Sequence, residues 1–141
     1  LEDAMEDADV FIGLSAPGIV SKEMVESMAD DPVVFALANP EPEILPGEAK
    51  EAGAFITATG RSDFDNQVNN SLAFPGVFRG ALDVRASDIN EKMKVAASEA
   101  IKEFIEPEKD KIVPETLDKD LAMEIADRVK EAARISGVNR K

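Results

Sequence analysis

Val10-Phe11-Ile12-Gly13-Leu14-Ser15-Ala16-Pro17-Gly18 is a short apolar run that breaks into a loop of small residues. The run at 10–14 is continuous rather than alternating, as in a parallel strand buried on both faces, and it is too short for an ordinary helix. Two runs of the same kind lie downstream, at 33–38 and 54–58. The segments between them have helical character. Ser21 suits the N-cap of a helix over 22–29, in which Met24, Val25 and Met28 form one apolar stripe. Pro46 suits the first turn of a helix over 46–52, and Gly53 its left-handed stop. Strand, helix, strand, helix, strand predicts an α/β fold with a parallel sheet and right-handed crossovers.

Past Gly60 no further convincing strand follows. Helices are expected over 66–82, interrupted at Phe74-Pro75-Gly76, over 89–105, opened by the capping-box pair Asp88 and Glu91, and over 117–136, stopped by Gly137. The last presents Leu121, Ile125, Val129, Ala132 and Ala133 on one side. At the other end, Leu1 is not an initiator Met, and the residues up to Ala8 read as the last turns of a helix. The expectation is a piece of a longer protein.

Composition narrows the chemistry. A length of 141 residues implies one core, and 29 acidic against 16 basic residues give a net charge of −13. Nucleic-acid backbones are bound by clusters of Lys and Arg that release counterions, so no nucleic-acid partner is expected. The acidic excess reads as solubility. No apolar run approaches a membrane span and no secretory leader opens the chain, which leaves the cytoplasm as the default location. Cys, His and Tyr are all absent. Disulfides, thiolate nucleophiles and imidazole bases are therefore excluded from this chain.

Ligands of open parallel sheets bind outside the carboxyl ends of the strands, which singles out three loops. These are Gly13-Leu14-Ser15-Ala16-Pro17-Gly18, Asn39-Pro40-Glu41-Pro42-Glu43 and Thr59-Gly60-Arg61-Ser62-Asp63. The first fits a loop lying beneath a nucleotide and equally an ordinary turn between strand and helix. Pro40 keeps Asn39 out of helical geometry and presents its amide at a strand end, where a turn-forming role is the alternative. Asn66-Gln67-Val68-Asn69-Asn70 concentrates carboxamides beside the Gly60 turn. Such groups bind carboxylates and nicotinamide amides without adding charge, and they also cap helices. Arg61 and Arg79 read as clamps for a carboxylate or, in so acidic a chain, as partners in structural ion pairs. Glu41, Glu43 and Asp63 have no metal-ligand spacing and read as solvated loop carboxylates, so no metal site is expected in this chain.

Taken in order, Ala8–Gly18, Val33–Pro40 with Pro42-Glu43-Ile44, Ala58–Asp63, Asn66–Asn70 and Ala73–Asp83 closely resemble the bacterial and archaeal malic enzymes over about Ala8 to Gly137. The resemblance implies the second half of a Rossmann-like dinucleotide fold, three parallel strands followed by C-terminal helices, and an enzyme that oxidises malate with NAD or NADP and decarboxylates it to pyruvate and CO₂ with Mg²⁺ or Mn²⁺. By the same resemblance Gly13, Leu14, Ser15, Ala16 and Asn39 are cofactor-binding. Asn39 and Asn69 are substrate-binding, with Asn70 a candidate one layer behind them. The family's catalytic Tyr and Lys, its metal ligands and its pyrophosphate turn have no counterpart here, so this chain holds no catalytic residue and is expected to be inactive alone. Asp65 stands where relatives usually carry Pro, and Ser71 where they carry an apolar residue.

Expected partners are malate and pyruvate, together with a homo-oligomer or the missing N-terminal half. The strand at 10–14 loses its outer neighbour in a half-fold, and a bare edge invites pairing. One rival is therefore a non-catalytic interaction subunit that complements a separate N-terminal half. Another is the cofactor domain of a different dehydrogenase, against which the Gly60-Arg61-Ser62-Asp63 and Gln67-Val68-Asn69-Asn70 blocks argue. NAD and NADP are not distinguished, because the residue that reads the ribose 2′ position follows a strand of the missing half.

Overall fold

The structure, a computed structural model, describes residues 1–116 and 118–140. Two compact units are present, the first formed by Leu1–Asn69 with Glu108–Ile112 and the second by Asn70–Pro107 with the chain from Val113 onward.

In the first unit the elements are α1 (Glu2–Met5), β1 (Val10–Gly13), α2 (Lys22–Glu26), β2 (Val33–Ala36), α3 (Pro46–Glu51) and β3 (Ile56–Thr59). The three strands form one parallel sheet in the order β1-β2-β3. Val10 pairs with Val33 and Val33 with Ile56, so Val34, Ala36, Thr57 and Thr59 share one face. That face is buried. Val34 and Ala36 pack with Val25, Met28, Ile44, Ala49 and Ala52, bringing the apolar stripes of the two connecting segments onto the same side of the sheet. Ser21 accepts the Met24 N–H at the start of α2, Pro46 opens α3, and Gly53 follows it at φ +100°.

The opposite face differs from the expectation of double burial. Val10, Ile12 and Leu14 are 52%, 62% and 78% exposed, and Gly13 is the one buried residue of β1. An edge strand has one neighbour, and here one of its faces carries no covering element in its own unit, so apolar continuity overstates its burial. The strands also differ in register from the runs that announced them. β1 ends at Gly13 and β2 at Ala36, while β3 runs over Ile56–Thr59, two threonines included, because Ala54 turns into the core below the sheet.

The second unit contains a 3-10 turn (Asn70–Leu72), α4 (Phe74–Asp83), α5 (Glu91–Glu103) and α6 (Lys119–Ile135). Met93, Ala97 and Ala100 of α5 meet Leu121, Ile125, Val129 and Ala133 of α6 in a fully buried core. Against α6, α4 presents Gly76 and Gly80. A Cβ on Gly76 would lie 2.5 Å from Ile125 Cβ, and one on Gly80 would lie 2.6 Å from the Ala126 carbonyl oxygen. The two backbones approach as closely as they do because those positions carry no side chain.

Two helix expectations need correction. The helix placed over 66–82 begins only at Phe74. Before it, Thr59 N–H donates to Asn66 O and Val68 N–H to Thr59 O, which extends β3 by one parallel bridge to Gln67. The cap of α5 is Asn90, whose Oδ1 accepts the Met93 N–H at 3.2 Å, and not Asp88. The cap of α6 is Asp118, accepting from Asp120 and Leu121. Leu117, the expected first residue of that helix, lies outside the described residues. Gly137 at φ +72° follows its end.

Candidate functional site

Because β1, β2 and β3 are adjacent and parallel, the loops that follow them leave the same edge of the sheet. Gly13-Leu14-Ser15-Ala16 leaves β1, Ala38-Asn39 leaves β2 and Gly60-Arg61 leaves β3. What fixes their arrangement is Glu43, a residue that the sequence presents as a solvated loop carboxylate and the structure buries completely, at 0% exposure. Ser15 N–H donates to Glu43 Oε1 at 2.7 Å and Ser15 Oγ–H to the same oxygen at 3.2 Å, while Ala38 N–H donates to Oε2 at 3.0 Å. The backbone repeats the link: Gly18 N–H donates to Pro42 O and Val20 N–H to Glu43 O, both at 3.1 Å.

A carboxylate survives burial only if its charge is met. Burial works to raise the Glu43 pKa, and the N–H groups of Ser15 and Ala38, with the Ser15 hydroxyl, more than offset it and hold the carboxyl below the usual glutamate range. Gly13 supplies the room. A Cβ there would fall 2.5 Å from Glu43 Cδ. The apolar frame of Pro42 and Ile44-Leu45-Pro46 around Glu43 was the available sign that this acid turns inward.

Asn39 is exposed at the end of β2, joined to Pro40 by a cis peptide. Asn69 Nδ2 donates to the Gly60 carbonyl at 3.3 Å, and Gln67 Nε2 reaches the same oxygen at 3.4 Å. Asn39 and Asn69 thus hang from the ends of neighbouring strands. Asn70 belongs to the 3-10 turn of the second unit. Ser15 and Ala16 are exposed on the loop after β1, as is Leu14 at its root. Ser15 N–H is already committed to Glu43, so the hydroxyl's lone pairs and the rest of the loop are what Ser15-Ala16 offers a ligand.

Asn66, in the same carboxamide cluster, has a structural role. It sits at φ +54°, its Nδ2 donates to Thr57 O and Lys109 O, each at 3.0 Å, and its Oδ1 accepts the Ile112 N–H at 2.9 Å. The two arginines form ion pairs: Arg61 grips Asp63 with two bonds, lowering the Asp63 pKa, and Arg79 pairs with Asp83 one helical turn on. Asp65 lies 4.0 Å from Lys50. A hollow of about 370 Å³ opens beside Glu43, lined also by Gly18, Val20, Glu41, Pro42 and Arg61 among others.

Residues 2–134 match the family model described as malic enzyme, NAD binding domain. The chain belongs to the malic enzyme family. The bifunctional malic/malolactic enzyme of Bacillus subtilis is 57% identical over 99% of this chain and 35% of its own length. The NAD-dependent malic enzyme of Geobacillus stearothermophilus is 51% identical over the whole of this chain and 30% of its own length. Among solved structures, the malic enzyme of Pyrococcus horikoshii superposes with a TM-score of 0.93 at 49% identity, over 99% of this chain and 33% of that one. This malic enzyme chain therefore spans about a third of the length of the relatives it matches. Its sheet is the second half of the Rossmann-like fold of the family.

Proposed function

We propose that this chain is part of an NAD- or NADP-dependent malic enzyme that converts malate to pyruvate and CO₂, and that it supplies cofactor- and substrate-contacting loops rather than catalytic residues. The observation that carries the reading is the shared rim, with Ser15 fastened to the end of β2 through Glu43 and Asn69 fastened to the end of β3 through Gly60. Gly13, Leu14, Ser15, Ala16 and Asn39 form the cofactor side. Small, exposed residues at 15, 16 and 18 suit a flat group lying over the loop. Asn39 and Asn69 take the substrate side, with Asn70 next to Asn69 in sequence. When bound, the nicotinamide accepts the hydride from the hydroxyl carbon of malate. Neutral amides orient both molecules there without a net charge that would bias hydride movement.

Among the described residues no group of three or more Asp, Glu, His or Cys side chains converges, and we assign the ligands of Mg²⁺ or Mn²⁺ to the part of the enzyme outside this chain. Among them, too, no helix is long and apolar enough to cross a membrane. For the whole enzyme we propose a cytoplasmic location, as a homo-oligomer or in company with an N-terminal half.

Two measurements test the reading. Full-length protein should reduce NAD⁺ or NADP⁺ only when malate is present, and the 141-residue chain should do neither. Calorimetric titration of the chain alone should give no micromolar binding, because the pyrophosphate-binding half of such a fold lies elsewhere. A tight complex would contradict this division of labour.

The position of β1 at the edge of the sheet favours a second reading, a separately made subunit that completes the enzyme by adding strands at Val10–Gly13. Co-expression with an N-terminal half, followed by the same malate-dependent assay, separates the two.

A further inference from the structure

We infer that Glu43 is a positioning residue for the cofactor: its carboxylate sets the placement of the Ser15-Ala16 loop against the end of β2, and through that loop the affinity for the nicotinamide nucleotide. The inference rests on the reading of this rim as a cofactor site. It names a residue that touches neither cofactor nor substrate.

The geometry is that of a clamp. One oxygen of Glu43 holds the loop after β1, through Ser15 N–H and Oγ–H, and the other holds Ala38, the residue before Asn39. Among the described residues no Lys or Arg forms an ion pair with Glu43, so its charge is met by N–H and O–H donors alone. Hydrogen bonds to a buried charge are the stronger kind and are directional. A site built this way holds its loop within the tolerance that binding needs before the ligand arrives, and preorganisation of that kind raises affinity by removing the ordering cost.

Glutamine cannot replace it. A carboxylate only accepts, whereas the amide of glutamine has one accepting oxygen and a donating NH₂. Whichever way it turns, Glu43→Gln sets an NH₂ against either Ser15 N–H or Ala38 N–H and opens one arm of the clamp. Glu43→Asp keeps the charge but is one methylene too short to span both arms.

The experiment uses the full-length protein as wild type, E43Q and E43D, with steady-state kinetics varying NAD⁺ and NADP⁺, and hydrogen exchange of the peptides covering 14–20 and 33–36. In E43Q the KM for the nucleotide is expected to rise by about ten-fold or more, as for loss of one charge-assisted hydrogen bond, with kcat changed by less than about three-fold. Exchange over 14–20 should quicken while 33–36 stays protected, and E43D should fall between wild type and E43Q. E43D carries the test if E43Q does not fold. The inference is overturned if the nucleotide KM stays within about two-fold in a folded variant, or if kcat falls in proportion with protection across both peptides, as for a merely structural role. Should wild type fail to oxidise malate, the proposed reaction falls. Exchange over 14–20 with and without NAD⁺ still decides the clamp: equal protection of wild type and E43Q overturns it.

Discussion

A methyl group on Gly13 would lie 2.5 Å from Cδ and 2.6 Å from Oε1 of Glu43. The glycine at the end of β1 and the carboxylate arriving from beyond β2 therefore specify each other. A buried acid is tolerable where three donors meet it, and it reaches them only because residue 13 has no side chain.

Gly13→Ala should accordingly destabilise the protein by about 1–3 kcal/mol, as overpacking does, since the added methyl would meet both the Glu43 carboxylate and, at 2.8 Å, the Phe11 ring. Urea unfolding measures it. A change under about 0.5 kcal/mol would show that Glu43 moves aside without loss.

Acid should undo the clamp. The folded-state pKa of Glu43 is depressed, so as pH falls the unfolded state takes up the proton first. The stabilisation is complete above the ordinary glutamate value of about 4.3 and is lost as pH drops through the folded value. Melting curves of wild type and E43Q should thus differ most near neutrality and draw together only as pH falls below the ordinary glutamate value of about 4.3. A gap that stays constant through the acid range would refute the assignment.

Two glycines in helices should respond in opposite senses. Gly80→Ala drives a Cβ to within 2.6 Å of the Ala126 carbonyl oxygen and should cost about 1–3 kcal/mol. Gly47→Ala meets nothing within 4 Å and should gain up to about 1 kcal/mol from helix propensity. Denaturant midpoints of the pair check the close approach of α4 to α6, which equal responses would contradict.

Thr59 Oγ1 is buried and has no hydrogen-bond partner among the described residues. Thr59→Val keeps the shape and removes an unsatisfied hydroxyl, so stability should hold or rise by about 1–2 kcal/mol. A loss above about 1 kcal/mol in the same unfolding assay would mean that the hydroxyl is bonded after all.

The sheet is legible in the sequence because three apolar runs alternate with capped, striped segments, and Ser21, Pro46 and Gly53 mark the turns between them. Two features are not. Asn66 begins a stretch that reads as helix by composition, yet its left-handed backbone and three side-chain bonds hold it beside β3. Partners 43 to 46 residues distant leave no local trace. Glu43 is hidden for a related reason. Its donors lie 28 residues upstream at Ser15 and five upstream at Ala38, and beside Glu41 in a proline-rich loop it reads as surface unless the apolar residues at 44–46 are weighed. The loops at the strand ends can be named from motif order, whereas the residue that fastens them together emerges only from the fold.

The amide of Asn66 also bears on where this polypeptide can be divided. Its acceptor and one of its donors are engaged by residues 109 and 112, which belong to the first unit although the chain between has built much of the second. The covalent path runs first, second, first, second. No single cut yields two autonomous pieces: a version ending at residue 69 would deprive Asn66 of Lys109 and Ile112, and one starting at residue 70 would carry 108–112 with nothing to dock on. Any uninterrupted stretch of chain that holds the whole of either unit therefore includes part of the other.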